Sequence, residues 1–181
     1  MSGSSDYFEL LGLPTHLAID TEDLQRRFYD LSRKFHPDKF ARKSEAERQV
    51  SLDTSSLLND AYRTLRDPVK RAEYVLKQQG FDIGEQRSKD VPPELLEEVF
   101  ELNMALEELR GGDESARPQL VKAGEYFTAM LADVDRQLVV LFAKHDAHPG
   151  HETLGEIRGV LNRRKYILNL VNEVSSALSV K

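Results

Sequence analysis

The residues of this 181-residue chain best equipped to act on another molecule are His36, Pro37 and Asp38 in succession. An imidazole and a carboxylate so close could serve as an acid-base pair. Proline between them limits their mutual approach, however, and no nucleophile motif or phosphate-cradling glycine loop accompanies them. Read as local chemistry, Pro-Asp is a helix stop and a turn, with the histidine a bystander. Read as a recognition element, Pro37 keeps the backbone rigid so that docking loses little entropy, Asp38 offers a charge-assisted bond to a partner Arg or Lys, and His36 adds a polar ring.

The surroundings favour recognition. From Leu24 to Arg42 there are six cations, Arg26, Arg27, Arg33, Lys34, Lys39 and Arg42, against the acids Asp30 and Asp38, although the whole chain carries a net charge of -6. A patch of that kind suits an acidic protein surface, whereas the overall balance argues against nucleic acid or an anionic membrane as partner. A second constellation, His145, His148 and His151 beside Asp146, has a spacing that could suggest a metal. Pro149-Gly150 breaks any helix before the third ring, and no Glu-x-x-His pair or thiolate supports it, so no metal is expected. The sequence has no cysteine, which removes disulfides, thiolate metal sites and cysteine nucleophiles; no cofactor is expected, and an iron-sulfur cluster could be handled only through a partner. No apolar stretch reaches eighteen residues and the Met1-Ser-Gly-Ser-Ser-Asp6 start resembles neither a signal peptide nor a presequence, so the expected location is the cytoplasm.

The elements that must hold the tripeptide are helices throughout, because apolar residues recur at three- and four-residue intervals and strand-like alternation is missing. A short first helix is expected over Tyr7 to Leu13. A second begins near Asp20 or Thr21, buries Leu24, Phe28, Leu31 and Phe35, and stops at Pro37. After a loop at 36 to 41, a long third helix carries Val50, Leu57, Leu58, Ala61, Tyr62 and Leu65 inward and closes at Asp67-Pro68. A fourth runs from about Val69 to Gln79, ending on Gly80-Phe81 with the form of a glycine C-cap. Residues 81 to 93 are polar and rich in Gly and Pro, and mark a linker between a domain at 1 to 80 and another at 94 to 181. In the second domain three helices, about 93 to 109, 117 to 144 and 152 to 178, bury their stripes on one another as a bundle. Their apolar sets are Leu95, Leu96, Val99, Phe100 and Leu106; Leu120, Phe127, Met130, Leu131, Val134, Leu138, Leu141 and Phe142; and Leu154, Ile157, Leu161, Leu168, Val171, Val174 and Leu178.

His36-Pro37-Asp38 between an Arg-rich helix and a helix containing Asn59-Asp60-Ala61-Tyr62 and Leu65, after Asp6-Tyr7-Phe8-Glu9-Leu10-Leu11-Gly12, resembles the J domain. Asp67-Pro68 with Arg71, Ala72 and Tyr74 extends the likeness to about residue 76. The resemblance implies that His36, Pro37 and Asp38, with Arg26, Arg27, Arg33, Lys34 and Lys39 nearby, engage a DnaK-type chaperone where its nucleotide-binding domain meets its interdomain linker, and that no residue here does chemistry itself. The Gly80-Phe81-Asp82 junction and the helix from Leu95 to Leu109 resemble the HscB family of iron-sulfur assembly co-chaperones, in the bacterial form without a cysteine extension. That likeness implies two partners, a DnaK/HscA-type ATPase and an IscU-type cluster scaffold. It also implies a scaffold-binding face of Leu96, Phe100, Glu101, Met104 and Glu108, with Tyr166 from the last helix. The chain departs from the family pattern at Glu97, where an apolar residue is usual, and at Met104, where an acid is usual. Leu96 and Phe100 could instead be bundle core, and exposure separates the two readings. Other readings kept alongside are a J-domain co-chaperone with a different client and a histidine-based metal-dependent enzyme.

Overall fold

The computed structural model describes residues 6–82 and 93–179. Among them every regular element is a helix, as expected: α1 (Tyr7–Leu10), α2 (Thr21–Lys34), α3 (Glu45–Arg66), α4 (Pro68–Gln78), α5 (Leu96–Arg110), α6 (Arg117–Ala147) and α7 (His151–Ser179). Short 3-10 turns lie at Pro37–Phe40, Pro93–Leu95 and Glu114–Ala116. Contacts divide the chain into two compact units, one of Met1–Phe81 with His145–Pro149, the other of Asp82–Lys144 with Gly150–Lys181. Most of the expected linker, 83–92, lies outside the described residues.

In the first unit the caps are written in the sequence. Asp20 accepts from the N–H groups of Glu22 and Asp23, and Asp67 from those of Val69 and Lys70, while Pro68 takes the first helical position, where its missing N–H is no loss. Ser44 and Glu47 form a reciprocal capping box that starts α3. Phe8, Leu11, Leu17, Leu24, Leu58, Ala61, Leu65, Ala72, Val75 and Leu76 make the core. Aromatic stacks brace it, Phe28 on Tyr62 with centroids 4.2 Å apart and Tyr7 on Tyr74 at 4.6 Å. The Tyr74 hydroxyl also accepts from the Tyr7 N–H at 3.0 Å. Arg71 is buried, and its guanidinium donates to the carbonyls of Leu17, at 2.8 Å, and Leu65. Burial lowers its pKa, with the carboxylates of Asp67 and Asp146 opposing. Asp146, from the His145–Pro149 segment, accepts from the N–H groups of Leu17 and Ala18 at 2.8 and 2.7 Å.

Three expectations need correction. The first helix ends at Leu10 rather than Leu13, because Gly12 turns the chain with φ +64 and Leu13 N–H folds back to the Phe8 carbonyl. Val50 is 62% exposed, since the inner face of α3 runs through Ser51, Leu58 and Leu65 at seven-residue steps and leaves position 50 outside it. Leu96 and Phe100 do not join the bundle core.

In the second unit α5, α6 and α7 pack around Val99, Leu102, Leu106, Leu120, Phe127, Leu138, Ile157 and Ile167. Met130, Leu131, Leu168, Val171 and Leu178 of the expected sets are only half-buried. At Gly124 an added Cβ would lie 3.1 Å from the Val174 side chain, so the absence of one lets α6 and α7 approach closely. Arg164 to Asp135 at 2.5 Å and Lys144 to Glu156 at 2.8 Å join the same two helices. Arg163 to Glu94 at 3.2 Å and Arg110 to Glu173 at 3.6 Å brace α7 against the two ends of the α5 segment.

Gly80 ends α4 with φ +78, its N–H bonded to the Lys77 carbonyl and the Phe81 N–H to that of Leu76. A Cβ there meets nothing within 4 Å, so Gly80→Ala should cost about 1 kcal/mol from backbone strain alone. Urea denaturation checks it, with Gly80→Asn expected to lose less.

Candidate interaction surfaces

Pro37 ends α2, and the chain responds with a single 3-10 turn. Phe35 closes the helix through its N–H to the Leu31 carbonyl, His36 goes extended at φ -62 and ψ 129, and Lys39 N–H returns to the His36 carbonyl at 3.0 Å. The turn is tied to α3 from the other side: the hydroxyls of Ser51 and Ser55 both donate to the Phe35 carbonyl, at 2.8 and 2.9 Å. His36 Nδ1 lies 3.3 Å from the Asp38 amide and 3.4 Å from its carboxylate, so that nitrogen is occupied within the turn and Nε2 is the ring atom left for a partner. The two side chains are 55% and 90% exposed, and Pro37 is half-buried. The tripeptide therefore stands outward on a held backbone.

The basic face is less uniform than its sequence. Arg27 donates to Asp23 at 2.7 Å and to the Gly12 carbonyl at 2.6 Å, and Arg26 pairs with the same Asp23. Hydrogen bonding from Arg27, with the charge of both arginines, holds the Asp23 carboxyl below the usual carboxylate range. Both cations are thus partly engaged within the unit. Arg33, Lys34 and Lys39 are exposed, with Lys34 Nζ 5.3 Å from the Phe35 ring centre. Asp23 is legible in the sequence only as a first-turn acid of α2, and Ser51 and Ser55 are not singled out there. The two serines were detectable in principle, because they interrupt at i and i+4 the stripe that continues as Leu58, Ala61, Tyr62 and Leu65.

On α5, Leu96, Phe100 and Met104 follow one another at four-residue steps and are 55, 67 and 50% exposed. Glu101 and Glu108 are exposed beside them, as are Glu97 and Glu107. The opposite face, Val99, Leu102, Ala105 and Leu106, is buried. The apolar ridge is therefore open to solvent, which is unusual for three large apolar side chains in register. Tyr166 is half-buried on α7, between Arg163 and Glu173, the two residues through which α7 reaches the ends of the α5 segment. Burial raises its pKa, and the charge of Glu173 adds to that. Of the three histidines, His145 is half-buried while His148 and His151 are exposed. Among the described residues no group of three or more His, Cys, Asp or Glu is placed to hold a metal ion.

A helical hairpin that presents an exposed His-Pro-Asp turn beside a cationic helix defines a J domain, and the family model for the DnaJ domain matches residues 6–74. The likeness extends through the rest of the chain. The structure of "Chaperone HscB from Vibrio cholerae" is 32% identical, covers 94% of this chain and 96% of its own, and superposes with a TM-score of 0.65. That of human co-chaperone protein HscB is 27% identical over 97% of this chain and 83% of its own, with a TM-score of 0.71. The chain belongs to the HscB family of J-domain co-chaperones.

Because Arg27 links α2 to the end of α1, Arg27→Ala should lower stability by about 1 kcal/mol, whereas Arg33→Ala at an exposed position should change it by less than about 0.5 kcal/mol. Urea midpoints of the two variants test the division of the basic face into anchoring and open cations.

Proposed function

We propose that this protein stimulates ATP hydrolysis by a DnaK/HscA-type chaperone through its J domain and brings to it an IscU-type iron-sulfur cluster scaffold held on the α5 ridge, so assisting maturation of iron-sulfur proteins. The observation that carries this reading is the outward-facing His36-Pro37-Asp38 turn in a chain of the HscB family. The protein acts as a regulator. Its contacts favour the hydrolysis-competent conformation of the chaperone, and a ligand shifts such an equilibrium only by binding one state better than the other. Asp38 and the open cations Arg33, Lys34 and Lys39 supply those contacts, with Arg26 and Arg27 behind them. The chemistry belongs to the chaperone, and the chain itself is not an enzyme.

Scaffold recognition falls to Leu96, Phe100 and Met104 as apolar anchors, with Glu101 and Glu108 alongside and Tyr166 from α7. What supports it is exposure: a core role for Leu96 and Phe100 is incompatible with residues that are more than half exposed. The departure at Met104 is compatible with this ridge, since a flexible thioether adapts to a partner surface. The working division is a J domain at 1 to 80, a linker at 81 to 93 and a scaffold-binding domain at 94 to 181. No helix among the described residues is long and apolar enough to cross a membrane, which fits the cytoplasmic location proposed here.

His36→Gln is expected to abolish stimulation of the chaperone ATPase in single-turnover assays while circular dichroism stays at the wild-type value, because the exposed turn contributes little to the core. Equal stimulation by mutant and wild type refutes the role. Phe100→Ala is expected to weaken scaffold binding roughly tenfold or more, as loss of an aromatic anchor does, with stimulation by the J domain alone unchanged. An unaltered affinity in calorimetric titration removes Phe100 from the site.

A further inference from the structure

Ser51 and Ser55 lie where the apolar stripe of α3 predicts hydrophobic residues, and Ser51 is 1% exposed. A serine inside a helix commonly returns its proton to the carbonyl four residues back on its own helix. Here both hydroxyls leave α3 and converge on one acceptor, the Phe35 carbonyl, at 2.8 and 2.9 Å. That oxygen is among the last carbonyls of α2 and has lost its helical donor, because Pro37 stops the helix and Lys39 N–H goes to the His36 carbonyl instead. The Phe35 carbonyl and the His36 N–H belong to one rigid peptide plane. Whatever fixes the oxygen fixes the direction from which His36-Pro37-Asp38 departs.

We propose that Ser51 and Ser55 are positioning residues for ATPase stimulation: by holding the Phe35 carbonyl from α3 they set the peptide plane on which the His36-Pro37-Asp38 turn is presented. The inference rests on the reading of that turn as the chaperone-docking element. The serines touch the partner nowhere and act through the backbone. Without them the turn keeps its own bonds, Lys39 N–H to the His36 carbonyl and Asp38 N–H to His36 Nδ1, but swings as a body about the end of α2. Only the fraction of molecules in the right orientation is then competent to dock, and apparent affinity falls by that fraction while the saturated effect is kept.

The test uses the full chain carrying Ser51→Ala and Ser55→Ala together, with Ser55→Thr as the conservative variant that retains a hydroxyl. In the folded double variant the backbone order parameter of the His36 amide is expected to drop from about 0.85 to below about 0.6. The concentration giving half-maximal stimulation of a DnaK-type chaperone should rise about tenfold with an unchanged plateau, while Ser55→Thr stays at wild-type values. A general loss of stability would leave the order parameter of the folded molecules where it was. Should the double variant lose its helical signal, Ser55→Ala alone, at a half-buried position, carries the same two readings with about a threefold shift. A His36 amide as rigid as in wild type, or an unmoved half-maximal concentration, overturns the proposal. Failure of the wild type to stimulate any DnaK-type chaperone overturns the chaperone reading instead, and the order parameter still decides whether the serines hold the turn.

Discussion

A proline has no N–H to give to a helix and crowds the residue before it, and in this protein that one constraint at position 37 organises the working end of the first unit. Because α2 cannot pass His36, its last carbonyls lose their donors and need others. The hydroxyls of α3 supply them at Phe35, and the chain beyond closes on itself as a 3-10 turn. The result is a loop whose backbone is bonded at both ends while the side chains of His36 and Asp38 face water. A longer loop could expose the same residues, but it would lose more conformational entropy on docking.

Further contacts of the first unit tie its helices to one another. Phe28 stacked on Tyr62 joins α2 to α3 a few turns away from that loop, and Arg27 ties α2 to the bend after α1. Arg71 fills a similar role lower down, bridging the carbonyls of Leu17 and Leu65 from α4. The two arginine contacts fasten a helix to a neighbouring backbone rather than only to its side chains. Backbone is the part of the neighbour least able to yield, so small rotations of α2 are resisted where they would most disturb the turn.

Much of this was legible in the sequence, and the parts that were not share a cause. Helix limits are legible at Asp20, Asp67-Pro68 and Gly80, because caps and breakers act locally and carry their chemistry with them, whereas the Ser44–Glu47 capping box that starts α3 is not among the expected limits. The docking role proposed for His36 and Asp38 comes from the resemblance to the J domain, since the tripeptide alone reads equally as a helix stop and a turn. Periodicity was weaker where it had to choose a face: Val50 was counted inward because valine is apolar, whereas the register of α3 gives the inward place to Ser51. It left Leu96 and Phe100 undecided, because their spacing is as good for a core as for an open ridge. The pairing of Arg27 with Gly12 and of two serines with Phe35 joins residues fifteen to twenty positions apart. No local rule announces such partners.

The two faces of α5 have one further consequence. Positions 99, 102, 105 and 106 point into the bundle and 96, 100 and 104 point away from it, so the residues that seat the helix and those of the proposed recognition ridge are different letters of the same fifteen-residue segment. An outward substitution alters the texture offered to a visitor with little effect on how tightly the helix sits, and an inward one does the reverse. In the role proposed for it, the ridge is free to change with a companion while the architecture underneath stays intact, and a methionine at 104 is a variation of the kind such a separation tolerates.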